Sequence, residues 1–111
     1  MKDDRFYFTH ILECIERIER FCAGGERDFF AHDLIQDAVL RNLQVLAESS
    51  QRISPELKVA HPQIDWRALG GFRNLIVHDY LGIDIARIWR IVAIDLPDLK
   101  REILKVHSGP G

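Results

Sequence analysis

Two cysteines and four prolines among 111 residues leave no basis for a disulfide-stapled or proline-rich chain. Cys14 and Cys22 fall eight residues apart in one amphipathic stretch, about 12 Å along a helix, which is too far for a bridge between them. Both are expected as packed, reduced thiols. No run of 18 apolar residues occurs, and Met1-Lys2-Asp3-Asp4-Arg5 has neither the apolar stretch nor the cleavage site of a secretory leader. The expectation is a cytoplasmic chain with no membrane partner. Positive charge is not in excess either: 15 Lys and Arg stand against 17 Asp and Glu, which excludes a surface that holds nucleic acid by uniform charge. No segment alternates apolar and polar residues with period two, so a half-buried sheet is excluded as well. His10, His32, His61, His78 and His107 lack ligand spacing, and no metal or other cofactor is expected.

What the sequence has in quantity is apolar residues at helical spacing. Ile11, Leu12, Ile15, Ile18 and Cys22 mark a first helix over 4–23, which Gly24-Gly25 stops. Asp28 or Asp33 is the expected cap of a second long helix with the stripe Ile35, Val39, Leu43 and Leu46, interrupted by Asn42. Ser54-Pro55-Glu56 reads as an N-cap with proline in the first helical position, opening a short helix that Pro62 ends. Asp65 caps a helix expected from Trp66 to about Tyr80. Asp84 caps a last one along Ile85, Ile88, Trp89, Val92 and Leu96, with Pro97 kinking or restarting it. The expected fold is all-α, an antiparallel bundle of four to five helices forming one domain over 1–106 with a flexible tail over 107–111.

Charge is unevenly spread. Residues 1–40 carry five bases and nine acids, 41–78 five bases and three acids, and 79–111 five of each. The middle stretch holds Arg41, Arg52, Arg67 and Arg73 beside Lys58, and the planar guanidinium fork suits phosphate. Within it, Arg73-Asn74-Leu75-Ile76-Val77-His78-Asp79-Tyr80 draws the eye. On a continuous helix Asn74 and His78 stack one turn apart, and Arg73 shares a face with Tyr80. Arg73 and His78 are about 140° apart around such a helix. To reach one target, the arginine bends round, the helix end deforms, or a second copy completes the site. Gly70-Gly71 upstream marks either a close backbone approach within the helix or a loop with the helix starting at Phe72. Each residue also has a plain structural reading, such as an Arg73 ion pair with Glu48 or Asp79.

Four blocks in order, Gln36 to Leu43, Ser54 to Leu57, His61 to Trp66 and Arg73 to Tyr80, make the chain resemble the HepT-like family, small ribonuclease toxins of the HEPN superfamily. The last block matches the family's Arg, four residues, His, one residue, Tyr motif. The resemblance implies a metal-independent endoribonuclease in which His78 is the base and Arg73 the phosphate-stabilising group; Asn74, one helical turn from His78, is expected in a supporting role, orienting the imidazole or bonding to the phosphate. It also implies a homodimer, RNA as substrate, and a nucleotidyltransferase antitoxin that transfers AMP to Tyr80. The alternative is a noncatalytic nucleotide-binding or partner subunit of a nucleotidyltransferase, in which Arg73 only grips phosphate. Apolar residues beside the main stripes, namely Leu34, Ala38, Val45, Phe72 and Leu75, are surplus to one small bundle and point to a two-fold partner as well.

Overall fold

The computed structural model describes residues 3–75 and 85–107, and every regular element among the described residues is helical. Helix α1 (Asp4–Phe21) starts where Asp3 accepts a hydrogen bond from the Phe6 amide. It ends two residues short of the expected boundary, in a turn where Gly25 takes φ +87°, a conformation that favours glycine. Its inward stripe of Phe8, Ile11, Ile15 and Ile18 is buried. Cys14 lies in the same core, whereas Cys22 is only half-buried; both are free thiols.

A short helix that the apolar spacing did not announce, α2 (Gly25–Ala31), follows at once. It inserts Phe29 into the core against Trp89, with ring centroids 5.2 Å apart. Neither expected aspartate caps the next helix, α3 (Asp33–Gln51): His32 holds the cap position and Asp33 is the first helical residue. Asp33 there favours the positive helix end, while Asp28 lies 3.1 Å from the His32 ring. The junction is secured by buried Gln36, whose amide donates to the carbonyls of Phe29 and Phe30 at 3.1 and 3.3 Å. Those carbonyls end α2 and have no helical partner of their own.

Helices α1 and α3 form the most extensive pairing in the bundle. Val39, Leu43 and Leu46 face inward as the stripe requires, and each such side chain contributes about 1.5–3 kcal/mol by leaving water. Asn42 answers its place in the stripe locally, donating to the Ala38 carbonyl one turn back at 2.9 Å. At the far end Asp4 of α1 accepts from both the amide and the hydroxyl of Ser54, at 2.8 and 2.7 Å. The same hydroxyl caps α4 (Pro55–Ala60) by accepting from Leu57. Serine and proline therefore do what their order in the sequence implies.

The C-terminal arm is α6 (Ile85–Arg90), a π turn over Ile91–Asp95, and α7 (Leu96–His107). Pro97 has no amide proton to give the preceding turn. The chain widens ahead of it, so that the Leu96 amide donates five residues back to Ile91. Ile88, Ile91, Leu96 and Ile103 keep the arm in the core. No described helix is long and apolar enough to cross a membrane.

Candidate functional site

Helix α5 (Trp66–Gly71) begins as expected, with the Asp65 carboxylate accepting from the Ala68 amide at 3.0 Å. Its length is not as expected. After six residues it tightens into a 3₁₀ turn over Phe72–Asn74, and Leu75 leaves helical geometry at ψ 136°. A single helix from Trp66 to Tyr80 is thereby overturned. Two glycines at its end weaken helical propensity, and the burial of Phe72 and Leu75 favours a turn that lets both enter the core. Gly70 does make a close approach, since a Cβ there would stand 2.4 Å from the Gln51 amide nitrogen. Gly71 faces open space.

This break sets the chemistry of the motif. Phe72 and Leu75, 8% and 6% exposed, are anchors three residues apart, and the Leu75 amide donates to the Phe72 carbonyl at 3.2 Å. Arg73 and Asn74, between the anchors, are both exposed. Among the described residues Arg73 has no ion-pair partner, so the Glu48 alternative is not realised. With Leu75 extended, the helix that carries Arg73 is interrupted at that residue. How Arg73 and His78 reach one target, by a bent arginine, a deformed helix end or a second copy, involves a residue outside the described ones. His78 and Tyr80 lie outside the described residues, as do the expected Asp84 cap and residues 108–111 of the tail.

One positioning group was not visible beforehand. Gln44, in the middle of α3, donates its side-chain amide to the Leu75 carbonyl at 2.9 Å across 31 residues of sequence. It satisfies the first carbonyl beyond the turn and moors the Arg73 segment to the longest helix of the fold. A glutamine in a helix carries no local sign of such a partner.

Surroundings restrict where a phosphate can lie. Beside α5 a cavity of about 370 Å³ is lined by apolar residues that include Leu69 and Phe72. Its rim carries Asp65, Asp95, Asp98 and Glu102, and carboxylates repel a phosphodiester. Arg73, by contrast, is an exposed cation. Among the described residues no group of three His, Cys, Asp or Glu side chains is placed to hold a metal ion. Burial pushes the Cys14 thiol above its ordinary value. Burial, with Asp28 nearby, does the same to Cys22; at Cys14 it outweighs the lowering effect of Arg17, so both sulfurs are held as thiols rather than as nucleophilic thiolates.

A helical bundle that presents an arginine turn from an arginine-histidine motif defines a class, and comparison with known proteins identifies it. Residues 11–106 match the family described as Ribonuclease HepT-like. The chain belongs to the HepT-like ribonuclease family. It is 36% identical over 103 residues to a Thermococcus cleftensis protein named "Probable ribonuclease HepT", covering 92% of this chain and 94% of that one. A Methanocaldococcus jannaschii protein whose name carries a gamma-glutamylcyclotransferase and an RNase assignment is 36% identical over 106 residues. That match takes in 95% of this chain but 48% of the relative, so the chain spans about half of that longer protein. A protein of Caldanaerobacter subterraneus subsp. tengcongensis, also with an RNase assignment, is 28% identical over 107 residues and 96% of each chain. No solved structure matches the chain.

Proposed function

We propose that this chain is the toxin of a two-component pair, a metal-independent endoribonuclease that acts as a homodimer in the cytoplasm. The observation that carries the reading is the exposed Arg73-Asn74 turn, held between buried anchors directly upstream of His78 in a chain of this family. In the proposed reaction His78 removes the proton of a ribose 2′-hydroxyl, whose oxygen attacks the adjacent phosphorus. The bond to the 5′-oxygen breaks, and that oxygen takes up a proton as it leaves. Arg73 lies against the phosphate and offsets the charge that gathers on its oxygens. The nucleophile belongs to the substrate, so RNA is cut and DNA is not. Asn74, exposed beside Arg73, supports the reaction by orienting the imidazole or by bonding to the phosphate.

The partner in this reading is a nucleotidyltransferase antitoxin that places AMP on Tyr80. The added phosphate would compete for Arg73 and repel incoming RNA. The test is cleavage of RNA by the purified chain, made without a partner, in the presence of EDTA. Cleavage supports the reading, and an inert chain returns the protein to the class of noncatalytic partner subunits.

A further inference from the structure

The outward face of α3 carries four charges in an order that has a meaning of its own. Asp37, Arg41, Glu48 and Arg52 are all exposed and fall within about 60° of arc on an ideal helix. Their signs run minus, plus, minus, plus. Half-buried Ala38 and Val45 and the 84%-exposed Leu34 border the same strip. Among the described residues none of the four charges is closed into an ion pair.

We propose that this face is a self-complementary seam at which α3 pairs antiparallel with α3 of a second copy, about a two-fold axis between Gln44 and Val45. This deepens the homodimer reading above and rests on it. Residue numbers facing each other across such an axis add to a constant. Arg41 then faces Glu48 of the other copy and Asp37 faces Arg52, each contact occurring twice. All four charges meet the opposite sign with one choice of axis. Val45 lies half a residue from the axis, level with Gln44 of the other copy and within about 1.5 Å of rise of its own copy, so an apolar contact near the centre is flanked by polar ones, the usual anatomy of an interface. Leu34 lands opposite residue 55, at the end of the bundle where Asp4 holds Ser54 and where Phe6 is 45% exposed. Exposed ion pairs add little affinity, but like charges brought face to face are costly, so the pattern sets register. Gln44 stands at the level of the axis and holds Leu75. The seam thus brings both copies of the Arg73 turn alongside one groove.

The same charges could instead serve within one helix, as the i, i+4 pairs Asp37–Arg41 and Glu48–Arg52. Charge reversal separates the two arrangements, because Arg41→Glu with Glu48→Arg rebuilds the contacts between copies while placing like charges one turn apart within each. Self-association of the full chain is measured by sedimentation velocity, with helicity followed by circular dichroism. Arg41→Glu and Glu48→Arg alone are each expected to weaken the dimer about tenfold or more, and the double variant to recover most of it. In a Cys22→Ser background, Val45→Cys is expected to form an intermolecular disulfide on mild oxidation, and Leu34→Cys is not. A dimer indifferent to both single reversals, or a double variant no better than either, overturns the seam and leaves the dimer standing. A Val45→Cys dimer that does not cross-link overturns the register. A monomeric wild type at micromolar concentration overturns the dimer and the seam together.

Discussion

Gln44 donates to the carbonyl of Leu75 at 2.9 Å, so the middle of α3 holds the residue at which the motif helix comes apart. Gln44→Leu keeps the bulk and removes the donor, leaving a carbonyl in a partly buried place without its partner. The expected cost is about 1 kcal/mol of stability, read from chemical denaturation. A larger loss is expected in RNA cleavage, because Arg73 is carried on the tether. Full cleavage by this variant would show that the turn holds its position without Gln44.

Arg73→Ala and His78→Ala are each expected to abolish measurable RNA cleavage, with losses of roughly 10² to 10⁴ in rate. Arg73 is exposed and makes no ion pair among the described residues, so its removal leaves thermal stability within about 0.5 kcal/mol. Arg73→Lys keeps the charge without the planar fork and should recover only part of the activity. Near-wild-type cleavage by Arg73→Ala would remove the residue from the mechanism.

Buried Gln36 makes a contrasting case, structural and remote from chemistry. Its amide serves two carbonyls at the end of α2, and Gln36→Leu strands both. A loss of about 1–3 kcal/mol is expected, with RNA cleavage per folded molecule unchanged. If stability were untouched, water would be closing the α2 end in place of the side chain.

These contacts also mark how far the sequence could be read. Ser54, Pro55 and Asp65 act within four residues of themselves, and their capping roles were legible for that reason. Pro97 likewise signalled a local disturbance, realised as the π turn before it. The break at Leu75 was not legible. Leu69, Phe72 and Ile76 continue helical spacing, and only the fit of Phe72 and Leu75 into the core decides for a turn. Those two side chains had also been counted as surplus apolar surface, and their burial withdraws them from the case for a partner. Leu34, at 84% exposure, keeps its place in it. Helix α2 was hidden by the glycine pair that opens it, and its closure by Gln36 depends on a residue in the next element.

Cys14 supplies a pH dependence. Burial raises its pKa in the fold, so the folded chain holds the thiol proton more tightly than the unfolded one. The associated stability is fully present below the ordinary thiol value of about 8.5 and is lost as pH rises through the raised one. Denaturation midpoints should fall on the alkaline side, and Cys14→Ala should flatten that decline while lowering stability at neutral pH by leaving a small cavity. A thiol reagent at neutral pH is expected to reach Cys22, which is half-buried, ahead of Cys14. An alkaline decline that persists unchanged in Cys14→Ala would assign it to another group.

In the proposed function, control and catalysis separate at Tyr80. In the proposed reaction the base is His78 and the phosphate partner is Arg73, and no step calls on a phenol. Tyr80→Phe is therefore expected to cleave RNA at a rate close to that of the wild type. Silencing is a different matter, because AMP transfer needs the hydroxyl oxygen to attack the α-phosphorus of ATP, with pyrophosphate leaving and the phenolic proton lost. Incubated with a cognate nucleotidyltransferase, ATP and magnesium, the wild type should gain mass in AMP increments on Tyr80 and lose cleavage in proportion, while Tyr80→Phe keeps both its mass and its activity. Mass spectrometry of the modified peptide alongside an RNA cleavage assay reads both outcomes. An adduct on another residue, or silencing of Tyr80→Phe by the active partner, would mean that the antitoxin works by another route, such as covering the Arg73 turn through complex formation alone.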